Sequence, residues 1–268
     1  MLEPMPFDPD VPNVARMYDY YLGGTDNFAA DRAAADQALT VAPELRVGAQ
    51  EGRKFLSRAV TYLARDGIRQ FLDVGCGLPT RGNVHEVARA VTPAARVVYV
   101  DNDPMVVAHA RALLGTHPTT AVVEADLRDP ESLLGSPAVK QMINFREPVG
   151  LLLFSVLHLV PDDELAHRVV RRLREQLAPG SYLAIAHAVA DLRPETTARL
   201  AALYQDKTAS AGPRRPNLPT RDQVLRYFDG LELVEPGLVY VPRWRPDPDD
   251  EGPGDTPVWS VGGVARTP

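Results

Sequence analysis

A single cysteine, Cys76, occurs in 268 residues, so an internal disulfide is excluded and a reducing cytoplasm is the expected setting. Long apolar runs are also missing. The longest, Val149 to Val160, contains His158 and falls short of the ~20 residues that a membrane-spanning helix requires. Positive charge is not in excess: 29 Lys and Arg face 35 Asp and Glu, giving a net charge of -6 and a pI near 5.5. That balance argues against a nucleic-acid or anionic-membrane surface. No set of His, Cys, Asp and Glu stands at metal-ligand spacing, so no metal site is expected. The N-terminus, with Glu3, Asp8, Asp10 and several prolines, does not read as a secretory signal. Nothing repeats at the periods of solenoids or propellers.

What the chain does have is apolar content of 45%, enough for a sizeable core, and a regular alternation of strand-like and helix-like stretches. Phe71-Leu-Asp-Val-Gly-Cys-Gly-Leu-Pro79 reads as a buried strand running into a glycine turn, because Phe71, Leu72 and Val74 suit a strand covered on both faces. Gly75 and Gly77 can adopt backbone angles that other residues avoid and can let a ligand approach the main chain. Apolar spacing from Thr80 to Val91 predicts a helix whose N-terminus faces whatever the turn holds. Cys76 fits this turn as a small residue rather than as a reactive thiol.

The alternation continues with strands at Ile68 to Val74, Arg96 to Val100, Thr119 to Val123, Val149 to Ser155 and Ser181 to Ala186. Helices are expected from Gly82, from Pro104 and from Pro161-Asp-Asp163, whose acids suit a helix start. Such spacing predicts right-handed crossovers and a mostly parallel sheet with helices on both faces. Before it lie three helical stretches, Asn13 to Tyr21, Ala29 to Leu39 and Gly52 to Arg65. Residues 1–66 are expected to form a helical cap or lid integrated with the core, and residues 67–268 the main domain. Past the fifth strand come a helix and loop from Asp191 to Gly212 and an irregular connection from Arg214 to Pro219. A capping box at Thr220-Arg-Asp-Gln223 follows. Strand-like stretches at Leu231 to Val241 and Val258 to Ala265 predict an antiparallel edge, joined by a mobile acidic loop from Pro242 to Pro257.

The glycine turn alone does not fix the ligand. A dinucleotide fingerprint wants Gly-x-Gly-x-x-Gly or Ala, and here the third position is Thr80. The Gly-Lys-Ser/Thr ending of a P-loop is absent as well. Two further acids narrow the choice. Asp101 closes the second strand, where a carboxylate can accept two hydrogen bonds from a ribose diol. Asp126 follows the third, where a carboxylate can accept an exocyclic adenine amine. Asp73 precedes the turn and can hold an ammonium group or the turn's own backbone.

Phe71 to Gly77, Val98-Tyr-Val-Asp-Asn-Asp103 and Ala125-Asp126 resemble the motifs of class I S-adenosylmethionine-dependent methyltransferases. Asn13 to Phe28, together with Gly77 to Glu86, resembles one bacterial S-adenosyl methyltransferase family first catalogued as a domain of unknown function. The resemblance implies a doubly wound, mostly parallel, seven-stranded α/β sheet of the Rossmann-like methyltransferase type, with S-adenosyl-L-methionine as cofactor. It also implies site roles. Asp73, Gly75, Cys76 and Gly77 would surround the cofactor's amino-acid end, Asp101 its ribose, and Asn102 its adenine. Asp126 and the backbone of Leu127 would read the adenine edge, and Ser155 would lie near the methionine portion. The Asn13 to Phe28 signature would form a lid.

Methyl transfer needs alignment above all, and a base only where the acceptor must shed a proton. His158 is the candidate base, ahead of His85 and His187, and Tyr20 and Tyr21 are candidates for orienting the acceptor. The expected substrate is a small molecule. An NAD(P)-dependent oxidoreductase and a non-catalytic S-adenosylmethionine-binding protein are the competing readings.

Overall fold

Runs of Val, Leu and Phe that no solvent-facing strand would carry build a sheet buried on both sides. The computed structural model describes residues 7–79, 82–114, 117–160, 162–207 and 216–268. The extended reading of residues 1–6, Thr80 and Arg81 after the glycine turn, Pro161 before its helix, and residues 208–215 of the late loop and connection lie outside the described residues.

The five expected parallel strands are β1 (Gln70–Val74), β2 (Arg96–Asp101), β3 (Thr120–Glu124), β4 (Gly150–Phe154) and β5 (Tyr182–Ala188). Then come β6 (Glu232–Leu233), β7 (Val239–Tyr240) and β8 (Ser260–Arg266). The order is β3-β2-β1-β4-β5-β8-β6, with β7 also paired to β8. β8 runs antiparallel to β5, Tyr182 opposite Arg266 and Ala188 opposite Ser260. The expected antiparallel edge is therefore present. The stretch from Leu231 to Val241 divides into β6 and β7 around Pro236-Gly237, which makes the sheet eight-stranded.

Ten α-helices are found among the described residues: α1 (Val14–Tyr21), α2 (Ala29–Val41), α3 (Leu45–Arg65), α4 (Val84–Val91), α5 (Pro104–Leu114), α6 (Pro130–Gly135), α7 (Pro137–Met142), α8 (Asp163–Arg174), α9 (Pro194–Lys207) and α10 (Arg221–Leu225). Odd and even strand positions send their side chains to opposite faces. Phe71, Val97, Leu152 and Ala184 meet Phe55, Ala59 and Leu63 of α3 and Ala88 of α4. Leu72, Val98, Leu151 and Leu183 meet α6, α7 and α8 through Leu133, Val139 and Val169. Each fully buried Leu or Phe contributes roughly 1.5–3 kcal/mol relative to exposure. The Thr220 box forms as expected, its Oγ1 accepting from the Gln223 amide at 3.3 Å while Gln223 Oε1 accepts from the Thr220 amide at 2.8 Å.

The acidic stretch from Pro242 to Pro257 corrects an expectation. It is anchored, not loose. Trp244 is wholly buried and meets Phe55 edge-on at 5.4 Å. Arg58 of α3 donates to the carbonyls of Trp244 at 2.9 Å and Val241 at 2.7 Å, and Lys54 pairs with Asp250 at 2.6 Å. Composition marked the stretch as solvated, but one tryptophan and one arginine outweigh that bias.

The expected cap divides by packing. α3 lies on the sheet. α1 and α2 instead share a small apolar cluster with α9, built on Met17, Tyr21, Ala35, Ala38, Leu200 and Trp259. Inside this layer Arg16 and Asp31 form an ion pair at 2.9 Å, with side-chain exposures of 2% and 0%. The Arg16 guanidinium also lies over the rings of Phe28 and Phe7. Gly23-Gly24 does more than stop α1. A Cβ on Gly24 would fall 2.0 Å from Asp19 Oδ1, and that carboxylate accepts from the Asp26 amide and Asn27 Nδ2, each at 2.9 Å. The turn is thus wrapped around a carboxylate.

Candidate functional site

The carboxyl ends of β1 to β5 open into a cavity of about 850 Å³, walled on the other side by α1, α3 and α9. Open α/β sheets bind their ligands at this end, and the volume falls in the range of small-molecule and cofactor sites. Asp73, Gly75, Cys76, Gly77, Asp101, Asn102, Asp126, Leu127 and Ser155 all line it, as do Tyr21 and His158. Tyr20 does not.

At the turn, the two glycines have different reasons to be glycine. Gly75 has φ +75° and its missing Cβ would fall 2.3 Å from Val156 Cγ2, so a neighbouring side chain fills the space that a ligand was expected to approach. Gly77 has φ +64° with nothing within 4 Å of its would-be Cβ, and it borders open cavity. The amides of Gly75 and Cys76 both donate to Val100 O, at 2.8 and 3.1 Å, which ties the turn to β2. Burial, then the nearby Asp101 and Asp73 charges, pushes the Cys76 thiol well above its ordinary pKa. Ser155, directly after β4, has φ +54°, uncommon for a residue with a side chain, while its amide donates to Ala186 O at 2.9 Å.

Three acids set the electrostatics. Asp73 is buried inside β1, and that burial pushes its carboxyl up to about 7; Arg53 opposes the shift and Asp101 adds to it. Asp101 is raised too, chiefly by burial, against the backbone donors it accepts. Its Oδ2 takes the Gly77 amide at 2.9 Å and its Oδ1 the Asp103 amide at 3.0 Å. A carboxylate offers about four lone-pair sites, and with the Asn102 amide also directed at it acceptor capacity remains for a ribose hydroxyl. Asp126 is held below its usual range, first by Arg128 and also by Asn102, with Arg128 Nη2 at 2.6 Å. Its oxygens already have a partner at hand.

Arg53, which sequence reading passed over, reaches the cavity from α3 and donates to Gly82 O at 2.8 Å. A buried carboxylate and a guanidinium together complement an ammonium and a carboxylate, the two charges of a free amino-acid end. This donor set fits an S-adenosylmethionine-type molecule. Leu127 adds an apolar wall.

The far end of the cavity is aromatic. Tyr21 Oη lies 2.7 Å from Tyr204 Oη of α9, and burial pushes the Tyr21 phenol up to about 12. Tyr18 Oη donates to Ala49 O at 3.0 Å. Trp259, Leu200 and Glu44 complete this end. Tyr204 and Trp259 were missed because nothing near them in sequence marks them. Tyr20 points elsewhere: its hydroxyl donates to Asp36 at 3.0 Å on the exposed side, under the Arg46 guanidinium. His158 sits in a short 3-10 turn, Leu157–Leu159, edge-on to His187 with ring centroids 5.5 Å apart. His187 is fully buried with Nδ1 2.7 Å from Ala188 O. His85 is bound to Tyr99 Oη at 2.8 Å. Neither of these two histidines lines the cavity.

Outside the site, no helix among the described residues is long and apolar enough to cross a membrane. The first cap residue is tied to the site. Asn13 caps α1 and also donates from Nδ2 to Asp103 Oδ2 at 2.5 Å, on the loop that carries Asp101.

Fold and strand-end acids define the class as a methyltransferase-type Rossmann-like protein. Two solved structures share the whole architecture. A DUF574 family protein from Streptomyces avermitilis is 42% identical, with 97% of this chain and 99% of that chain covered and a TM-score of 0.91. A Thermobifida fusca protein is 45% identical over 100% of this chain and 99% of its own, with a TM-score of 0.87. An O-methyltransferase family protein from Burkholderia thailandensis, 14% identical over 96% of this chain and 64% of its own, shares the fold at a TM-score of 0.55. No curated protein matches. The profile of the S-adenosyl methyltransferase family matches residues 2–268. The chain belongs to that family, and S-adenosyl-L-methionine is its cofactor.

Proposed function

We propose that this protein methylates a small molecule, in the cytoplasm, within the cavity between the strand ends and the α1–α2 layer. The observation that carries the reading is the convergence of Asp73, Asp101 and Asp126, from three successive strand ends, on one cavity whose other end is aromatic. Asp73 and Arg53 hold the cofactor's amino-acid end, Gly75, Cys76 and Gly77 shape the turn beside it, and Asp101 holds the ribose. Asn102, Asp126 and Leu127 frame the adenine, and Ser155 borders the methionine portion. Bound there, the cofactor supplies an electrophilic methyl group on a sulfonium.

The chain's own work is positioning. Well-oriented reactants gain up to about 7–11 kcal/mol of the barrier from proximity. α1, linked through Asn13 to Asp103 in the loop after β2, closes water out of the cavity. The Tyr21–Tyr204 pair orients the acceptor, and Tyr20, turned outward, takes no part. His158 lines the cavity and accepts a proton where the acceptor must lose one.

Isothermal titration tests the reading. S-adenosylhomocysteine should bind the wild-type protein and bind Asp101→Ala at least tenfold more weakly. Tight binding of NAD with none of S-adenosylhomocysteine would refute it. A screen of small-molecule extracts with labelled methyl donor should give product with wild type and none with Asp101→Ala.

A further inference from the structure

Glu44 stands immediately before α3, where a short Asp, Asn, Ser or Thr side chain ordinarily turns back to the helix amides. It makes no such capping bond. Instead it lines the cavity with a side chain only 9% exposed. Its Oε1 is buried and has no hydrogen-bond partner. The nearest cation, Arg193 Nη2, is 3.4 Å away on a side chain 45% exposed, so much of that charge is spent on solvent. Burying a carboxylate with so little compensation is costly. A fold retains such a group most readily where a ligand completes its coordination.

The surroundings say what kind of ligand. Leu45, next along the chain, packs with Leu200, Tyr204 and Trp259 in the cap cluster, so Glu44 enters the cavity at its aromatic end. Aromatic faces attract cations, and more strongly once water is excluded. The charges around the whole cavity point the same way: seven carboxylates and three guanidiniums line it. Pairing does not reverse that balance: Arg128 takes one of the seven, Asp126, and Arg16 takes Asp31. An anionic acceptor would enter against this field.

We infer that the acceptor site takes an organic cation, a ring-bearing amine whose ammonium seats on Glu44 while its ring lies against Tyr21, Tyr204 and Trp259. The inference rests on the reading of this cavity as the acceptor site and adds the substrate class. A protonated nitrogen has no lone pair with which to attack a methyl group. The ammonium at Glu44 is therefore the handle by which the substrate is recognised, and the methyl goes to another atom of the same molecule.

The test uses the full chain saturated with S-adenosylhomocysteine and three matched sets of probes followed by titration calorimetry. The cations are 2-phenylethylamine, tryptamine and benzyltrimethylammonium; phenylethanol and tryptophol are the neutral counterparts, and phenylacetate and indole-3-acetate the anions. At least one cation should bind at least tenfold more tightly than the neutral and anionic probes of its ring type. Glu44→Gln should erase that preference and leave S-adenosylhomocysteine affinity unchanged. Arg193→Gln should keep the preference, because a Glu44 that served only to hold Arg193 would make the two variants alike. Failure of every cation to bind, anions binding as well as cations, or equal losses in the two variants would overturn the inference. Failure of S-adenosylhomocysteine to bind wild type would instead strike the proposed function.

Discussion

Replacing Asp73 by Asn should stabilise the ligand-free protein at alkaline pH while weakening its hold on the cofactor. Asp73 is 5% exposed and burial pushes its carboxyl up to about 7, whereas the unfolded chain would ionise it near 3.9. The sign follows from proton linkage. Below the unfolded value both states carry the proton and Asp73 costs nothing. As pH rises the unfolded chain loses its proton first, so folding stability falls until the folded carboxyl also ionises near pH 7, and is level above that. Between pH 5 and pH 8 the wild type should therefore lose roughly 2–3 kcal/mol relative to Asp73→Asn. Any fixed cost of the buried amide shifts the two curves without changing their divergence. Urea unfolding of both proteins at several pH values measures it. Curves parallel within about 0.5 kcal/mol from pH 5 to pH 8 would refute the reasoning, since extrapolated stabilities are good to about a tenth of their value. A second arm follows the cofactor. An ammonium on Asp73 needs the carboxylate, so S-adenosylhomocysteine affinity should fall about tenfold from pH 8 to pH 6 in wild type, and stay flat in the variant.

Gly75→Ala must accommodate a Cβ 2.3 Å from Val156 Cγ2 and 2.6 Å from Val156 Cβ at a positive φ and should cost about 2–4 kcal/mol; in the background of Val156→Gly, which removes both atoms, the same change should cost at least about 1 kcal/mol less in denaturant unfolding, a coupling that distant sites would not show. Asp31→Asn leaves the Arg16 guanidinium buried without its counter-ion and should cost about 3–5 kcal/mol, seen as a lowered urea midpoint at unchanged slope. Cys76, held protonated by burial, should react with a disulfide reagent at pH 8 far more slowly than free cysteine, and labelling at the free-thiol rate would contradict its placement.

The sheet was legible because strands buried on both faces carry apolar runs that little else produces, and Asp73, Asp101 and Asp126 were legible because each ends such a run. Other parts had no local mark. Helix α3 begins at Leu45, seven residues before Gly52, where the expected helix starts; its first turns face the cavity, so the apolar stripe that betrays a core helix begins late. Tyr21 meets Tyr204 across 183 positions of sequence, a separation no motif spans. Tyr20, expected at the acceptor, does not line the cavity, and no local pattern marks that. It lies three residues after Met17, so helical spacing alone would set it beside the buried side, and only its bond to Asp36 and the cavity lining show that it turns away. Glycine, finally, has more than one meaning: Gly75 and Gly77 look alike in sequence, yet one is crowded by Val156 and the other borders open space.

Between Tyr240 and Ser260 the chain leaves the sheet and returns to it, carrying Trp244 into the core beneath α3. With Arg58 and Lys54 gripping the same excursion, it works as a tie-bar between the sheet's last strand and the helix that roofs the cavity. A cut in its acidic outer part, near Pro253, would leave both halves clamped, and the nicked protein would stay one particle. Shortening the excursion past Trp244 would be another matter. It would take Trp244 and two carbonyl acceptors away from α3, and so loosen the scaffold on which Glu44 and Arg53 stand.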